Sequence, residues 1–442
     1  MKKFMESQTD QGMLMPVYLP EWLPANHEIF WLSTTVDQLD LSAIYVKYQG
    51  GGRPAYDPRM MVKVLCYAYM RGVRSSRRIE RMLWEDIPMR VLSGNQQPDH
   101  WTIAHFRHEH QQELGQLFVQ TVRVAVRAGA ANLKHVAVDG TKIKANASKH
   151  RAMSYKRMVE EETRLDEEIK TYLREAKEVD AEEDRTYGDR RPGQVPKELA
   201  EPQKRLEAIR KAKAELEEEA RQQAEEERKA REQAGQKPRR KEKEAKPKAK
   251  AQRNFTDSES RIMKSSSEGF VQGFNGQVAV DAKNQIIVAA DLTNQAADSP
   301  HPLGLVDQTK ANTGRLPEET SADAGYYSQQ NVDGLEERNI EALIPPVKIR
   351  HMHWRTAKAP RGRPPKNLSA RDRMMRKLLT KKGKERYKLR QITVEPVFGQ
   401  IKGNRGFRQL LMRGLDAARA SWQFECAVHN LLKLHTLGVV PV

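Results

Sequence analysis

Asp139, Asp323 and Glu395 are the residues of this 442-residue chain whose setting points to chemistry. Asp139 closes a short apolar run, His135-Val136-Ala137-Val138, and is followed by Gly140. Asp323 precedes Ala324-Gly325-Tyr326, a turn rather than a solvated helix face. Glu395 stands among cations: between Lys348 and Arg413 there are 21 Lys or Arg and only two other acids, Asp372 and Glu385. The first two acids are expected at the C-terminal ends of strands, where open α/β sheets form their ligand crevices. Carboxylates gathered there are hard oxygen ligands suited to Mg²⁺ or Mn²⁺. Two such ions about 3.5–4 Å apart can activate an attacking oxygen and stabilise the leaving oxygen of an in-line phosphoryl transfer. For Glu395 taken alone, ion pairing within its basic segment is the simpler alternative.

The elements that must position these acids follow a mixed pattern. Val271 to Ala282 alternates apolar and polar residues, Gln285 to Leu292 is a second strand-like run, and Ala282-Lys283-Asn284 is a plausible hairpin connection. A helix over Pro302–Lys310, a strand ending at Asp323, a helix over Ser328–Arg338 and a strand over Glu341–Ile344 come next. Two antiparallel strands followed by strand–helix–strand units describe an α/β protein with helices packed on a mixed sheet. A last helical region spans Tyr387 to Lys402, where Pro396 must start or kink a helix.

The N-terminal third reads as helical. Asp57-Pro58 is an N-cap and first-turn pair ahead of Met60, Met61, Val64, Leu65, Ala68 and Tyr69, with Gly72 as the stop. A second helix covers residues 75–83, a third begins near Thr102, and Leu114, Leu117, Phe118, Val122 and Val126 continue the bundle to Gly129. Short helices with tight turns and arginines, Arg77, Arg78 and Arg107 among them, are compatible with a helix-turn-helix DNA reader, although any small helical bundle looks similar.

Charge is distributed unevenly. The net excess of 18 positive charges lies wholly within residues 348–413, and the rest of the chain balances at 56 basic and 56 acidic residues. A localised basic surface is the footprint expected for a polyphosphate partner. Residues 156–253 differ in kind, with 28 basic and 26 acidic residues and a thin apolar stripe: Leu165, Ile169, Tyr172 and Ala176, then Leu206, Ile209 and Leu216. With a break at Gly188, Pro192, Gly193 and Pro196, this reads as two long helices folded into a hairpin, followed by a flexible stretch from Lys237 to Lys250.

Several classes are excluded or disfavoured. No apolar run approaches the roughly 18 residues of a membrane span. The N-terminus lacks an apolar signal region, so secretion is not expected. Cys66 and Cys426 lie far apart, make no disulfide framework, and fit a reducing cytoplasm. Gly50-Gly51-Gly52 matches no nucleotide-binding loop, His351 and His353 lack a third ligand at a recognisable spacing, and Trp354 and Trp422 are not assigned to base stacking; Trp422 is expected in the core.

In combination the motifs resemble a known family. Val138-Asp139-Gly140-Thr141-Lys142-Ile143-Lys144-Ala145-Asn146-Ala147-Ser148 resembles the first-aspartate strand of bacterial insertion-sequence transposases of the DDE class. Ala322-Asp323-Ala324-Gly325-Tyr326-Tyr327 is similar to their second-aspartate motif, and Val394-Glu395-Pro396-Val397-Phe398-Gly399-Gln400-Ile401-Lys402 to their glutamate region. Residues 54–60 and 94–99 resemble their N-terminal helical domain. The resemblance spans about residues 35–435 except the charged hairpin, and it implies an RNase H-like catalytic core with Asp139, Asp323 and Glu395 as ligands of two Mg²⁺ or Mn²⁺ ions. It implies further that Tyr387, Arg390 and Lys402 contact DNA near the cleaved strand, although four residues rather than three separate Arg390 from Glu395. Arg405 and Arg408 are phosphate-binding candidates on physical grounds.

The expected organisation is a helical DNA-binding domain (1–130), the first part of the core (131–154), the charged insertion (155–254), the second part of the core (255–346), a basic insertion (347–386), and the glutamate helix with a C-terminal helix (387–442). The expected function is DNA transposition: metal-dependent cleavage at element ends, then attack of a 3′-hydroxyl on target DNA. The expected partners are double-stranded DNA, as terminal inverted repeats and target, and a second copy of the chain. The expected location is the cytoplasm, at the nucleoid. The alternatives are a catalytically silent transposon-derived DNA-binding protein and an RNase H-like nuclease that cuts without joining.

Overall fold

A computed structural model describes residues 18–48, 54–187, 197–233, 245–265, 268–347, 357–362, 365 and 367–439. Gly50–Gly52, His351, His353 and Trp354 lie outside the described residues, as do the break at 188–196 and residues 237–244 of the stretch expected to be flexible.

The N-terminal helices begin with α1 (Glu28–Asp37) and the single turn α2 (Ser42–Tyr45), both ahead of the first helix read from the sequence. That helix is α3 (Pro58–Met70). The Asp57 carboxylate accepts from the backbone N–H groups of Arg59 and Met60, satisfying donors that a helix start leaves orphaned. Then come α4 (Ser76–Glu85), α5 (Ile87–Leu92), α6 (His100–Glu109) and α7 (Gln111–Arg127). Asp86 and Asp99 cap α5 and α6 by accepting from Met89 and Thr102 N–H. The α4 and α6 helices pack on each other, burying Ile79, Leu83, Ile103 and Phe106 and leaving Arg77, Arg78 and Arg81 exposed.

The sheet is built on β1 (His135–Lys144). After a short ladder of β2 (Ala152–Ser154) with β3 (Gln252–Asn254), the chain adds β4 (Arg261–Ser265), the long β5 (Gly269–Asp281), β6 (Ile287–Thr293), β7 (Glu319–Ser321) and β8 (Glu341–Leu343). Strand β5 is antiparallel to β1, β4 and β6, whereas β1, β7 and β8 run parallel to one another. This is the mixed sheet of an RNase H-like core. Helices α10 (Pro302–Thr313) and α11 (Gln329–Glu337) make the parallel crossovers. The hairpin lies where the sequence placed it, and Asp281 secures it: its carboxylate accepts from the N–H groups of Asn132, Leu133 and Lys283, tying the turn to the start of β1.

The charged insertion forms two helices, α8 (Tyr155–Tyr187) and α9 (Lys197–Gln233). Met158, Leu165, Leu206, Ile209, Ala212 and Leu216 bury a narrow seam between them. Arg210 bridges Glu162 and Asp166, and Lys213 also reaches Glu162. The β2–β3 ladder pairs Ala152 with Asn254 and Ser154 with Gln252, so the insertion leaves and re-enters the core at one point. The end of the stretch expected to be flexible is anchored there: Tyr155 and Lys156 N–H donate to the carbonyls of Ala251 and Ala249.

After α12 (Ala370–Leu379) and α13 (Lys381–Phe398), the chain ends in α14 (Leu415–Thr436). This helix belongs to two cores. Trp422, Cys426 and Leu434 pack into the sheet core, whereas Phe424, Val428 and Leu431 fill the core of the N-terminal helices. Trp422 is fully buried, as expected, with its indole N–H on the Gln277 carbonyl. Between the stripes lies Glu425, fully buried. Arg74, from the turn after α3, reaches its two oxygens at 3.0 and 2.7 Å, and Arg405 Nε donates to it at 3.1 Å. Gly72 lets the chains meet: its φ is +72°, and a Cβ there would stand 2.8 Å from the Arg405 carbonyl oxygen. The N-terminal helices α1–α7 therefore do not close their own core.

Two outcomes follow from these contacts. Glu425→Ala leaves two buried guanidinium groups without their carboxylate and should cost about 3 kcal/mol or more of unfolding free energy in urea; a loss below about 1 kcal/mol would mean the pair is screened. Replacing residues 156–253 with a short Gly/Ser link from Tyr155 to Asn254 should leave a folded protein by circular dichroism, because the excised seam is its own cluster. An unfolded product would make the insertion part of the core.

Candidate active site

Asp139 sits in the middle of β1 rather than at its end. The apolar run that marks the strand in the sequence stops before Asp139, but β5 pairs with β1 as far as Lys144. The crevice arises differently. Strand β7 pairs with β1 only over His135–Ala137, so among the described residues that edge of β1 carries no strand partner from Val138 to Ile143, until Lys144 meets Gln409, and Asp323 follows two residues after β7 ends. A three-residue strand opens the sheet beside Asp139.

Burial pushes the Asp139 carboxyl up to about 6; Arg390 opposes the shift, and the carboxylates of Asp323 and Asp298 add to it. Asp323 accepts from Gly325 N–H at 2.7 Å, capping the turn Ala324–Tyr326. Arg390 lies against Asp139 at 2.8 Å and reaches Glu395 at 3.9 Å. Burial acts to lower the Arg390 pKa, but Asp139, Tyr387, Asp323 and Glu395 together leave it raised. Tyr387 is pushed up to about 12, first by burial, with Asp323, Asp139 and Glu395 adding to the rise and Arg390 opposing it.

The glutamate segment reaches β1 through an irregular helix. Pro396 lies inside α13, where it has no N–H for the Ile392 carbonyl; Gln285 Nε2 donates to that carbonyl instead, at 2.8 Å. Helix α13 then passes into a π-helical turn, Gly399–Asn404. That turn sets Lys402 Nζ 3.0 Å from Thr141 Oγ1 and 2.8 Å from the Lys142 carbonyl. Burial lowers the Lys402 pKa. Tyr387, Arg390 and Lys402 therefore converge on the strand that carries Asp139.

Other expected residues are placed elsewhere. Arg405 is buried against Glu425, so it has no surface for a phosphate. Arg107 is turned inward: its guanidinium donates to the Arg74 carbonyl, Ser76 Oγ and the Tyr69 hydroxyl. Charge alone makes both DNA candidates, and it does not reveal an internal partner distant in sequence. Arg77, Arg78 and Arg408 are exposed. Asp298 joins this acidic neighbourhood. It accepts from Lys142 Nζ, Asn275 Nδ2 and Gln277 Nε2, and Gln277 in turn accepts from the buried Tyr326 hydroxyl. It lies on a loop after β6, and no spacing in the sequence marks it.

Among the described residues, no three His, Cys, Asp or Glu side chains converge as a metal-ligand set. Asp139 and Asp323 nevertheless suit a hard divalent cation chemically, since the neighbouring Asp323 carboxylate adds to the rise in the Asp139 pKa and bound positive charge relieves that repulsion. Glu395 is 59% exposed and faces Arg390.

Comparison with known families agrees with this architecture. Residues 17–109 match a transposase domain (DUF772), and residues 247–431 match the transposase DDE domain. No curated protein and no solved structure gives a significant match.

The Asp139 environment has a measurable consequence. Its folded pKa near 6 lies above the ordinary 3.8, so the folded state holds the proton more tightly. The ionised group therefore costs the fold stability progressively as pH rises from about 4 to 6. In metal-free protein, Asp139→Asn should gain on the order of 2 kcal/mol relative to the native chain between pH 4 and 7. Equal urea stabilities of the two across that range would show that Asp139 ionises normally.

The two matched domains together span more than half the sequence, and the chain belongs to the DDE-class transposases of insertion sequences.

Proposed function

We propose that this transposase cuts DNA at the ends of its element by water attack on a phosphodiester and then joins the freed 3′-hydroxyl to target DNA. Asp139, Asp323 and Glu395 are assigned as the catalytic carboxylates that hold two Mg²⁺ or Mn²⁺ ions. The observation that carries this is the open edge of β1, where Asp139 and Asp323 come together and Arg390 and Lys402 arrive from the glutamate segment. When bound, the ions supply activation of the attacking oxygen and charge for the leaving oxygen.

The chain's own side chains handle the rest. Lys402, held on Thr141 two residues along β1 from Asp139, supplies a cation on the strand where a phosphodiester needs one. Arg390 takes a phosphate oxygen when Asp139 no longer requires it, and Tyr387 walls the pocket. Glu395, exposed on α13, turns from Arg390 toward Asp139. Arg77 and Arg78 on α4 contact the DNA backbone, and the helical region 1–130 reads the terminal inverted repeats. The core comprises 131–154 and 255–346, completed by 387–442, while 347–386 is a basic insertion and 155–254 an arm toward a second protomer or the DNA flank. The active complex is a dimer, since two ends must be joined together, and it works in the cytoplasm at the nucleoid.

The triad is tested directly. Asp139→Ala, Asp323→Ala and Glu395→Ala should each reduce cleavage of a duplex carrying an element end by a thousandfold or more. Affinity for that duplex should change less than about threefold, because phosphate contacts are retained. Cleavage near the native rate by one variant would remove that residue from the triad.

A further inference from the structure

Lys402 stands at one end of a line of cations that leaves the catalytic strand in a single direction. Beyond Thr141, β1 runs to Lys144 and continues through Asn146 and Ser148 to the exposed turn Lys149–Arg151. A second segment runs beside it: Lys144 N–H donates to the Arg408 carbonyl, Leu410 N–H to the Lys144 carbonyl, and Arg413 Nε to the Asn146 carbonyl. At the far end the base of the arm closes on the same path. Asn254 Nδ2 donates to the Ser148 carbonyl and Phe255 N–H to the Arg151 carbonyl. Residues 245–253 alongside carry four basic side chains and no acid.

The charge on this path is free to act outward. Lys149, Arg151, Arg408, Arg413 and Lys250 are exposed, and among the described residues none of them is ion-paired. The other cations near the path are paired: Lys142 with Asp298, the buried Arg253 with Glu215 and Glu219, and Lys144 with Glu268 at 2.6 Å, which also lies in the field of Lys402 and Arg408. From Thr141 to Ala152 the chain spans at most ~36 Å. One turn of B-form duplex is about 34 Å. A row of unpaired cations within that reach, beginning beside the end of the strand that carries Asp139, can follow one phosphate backbone over no more than one helical turn.

We propose that Arg408, Arg413, Lys149, Arg151 and Lys250 form a rail for duplex DNA, running from the catalytic carboxylates along the extension of β1 to the base of the α8–α9 arm. The occupant is double-stranded DNA continuous with the strand in the active site, gripped through its phosphates without regard to sequence. The rail gives the arm a position on the DNA: it meets the duplex within one turn of the cleaved bond. This inference rests on the transposase reading above but assigns residues that the reading does not require.

The test uses the full-length protein and a 40-base-pair duplex of arbitrary sequence, with affinity followed by fluorescence anisotropy from low to moderate salt. Each lost phosphate contact lowers the slope of log K against log salt by about 0.9. Lys149→Ala with Arg151→Ala should lower it by about two units, and Arg413→Ala, on the neighbouring segment, by about one. Thermal melting should be unchanged for the first variant, whose side chains have no internal partner. A benzophenone side chain at position 150 should crosslink to the duplex. If the native protein binds but both variants keep its slope, or position 150 gives no crosslink, the rail is overturned while the transposase reading stands. Failure of the native protein to bind any duplex would instead overturn that reading and the rail with it.

Discussion

The contact on which the arrangement depends is the buried carboxylate of Glu425 between Arg74 and Arg405. A carboxylate fully removed from water is tolerated only when its charge and lone pairs are met, and a buried pair gives little net stability over an apolar substitute. What it gives is specificity of docking. Arg74 follows α3 in the helical region, Arg405 follows the π-helical turn that carries Lys402, and Glu425 is on the helix that fills both cores. The position of the helical region is thereby tied to the same short segment that sets Lys402 on β1.

This coupling changes what each part can do alone. A DNA-reading domain joined by a loose linker would hold an element end at variable distance from the carboxylates. Here Phe424, Val428 and Leu431 complete the N-terminal core, so the exposed α4 arginines and the crevice at Asp139 share one rigid frame. Reorganising that frame on DNA means breaking a buried ion pair and parting a shared helix. Geometry fixed before binding lowers the entropic cost of placing a phosphodiester at the acids. The arm is the contrasting case, attached through a two-stranded ladder and carrying its own seam.

Much of this was legible in the sequence. The Asp57 cap, the hairpin between β5 and β6, the strand–helix–strand units and the two helices of the insertion follow from local patterns: a cap residue, period-two alternation, a charged stripe with a break. Asp139 is marked by the apolar run that it closes, and Asp323 by the short strand before it and the turn after it. Two things were hidden because they depend on contacts distant in sequence. Strand β1 outlasts its apolar stretch because β5 pairs with it, and Asp298 enters the acidic neighbourhood from a loop held by Asn275, Gln277 and Lys142.

The basic segment shows how a correct count can mislead about a surface. Residues 348–413 hold the whole net charge, yet several of their cations are used internally. Arg386 binds Glu319 on β7 and Glu341 on β8, Lys377 binds Glu341, Arg390 binds Asp139, and Arg405 binds Glu425. These acids come from elsewhere in the chain, so segment counting sees an excess where the fold makes pairs. Which cations can face DNA is then a matter of position, and those at the end of the segment, Arg408 and Arg413, are exposed with Lys149 and Arg151 beside them. Pairing on the inner side holds β7 and β8 against α13, and the absence of pairing on the outer side leaves a charged face. The same residue types do both jobs, and only the third dimension separates them.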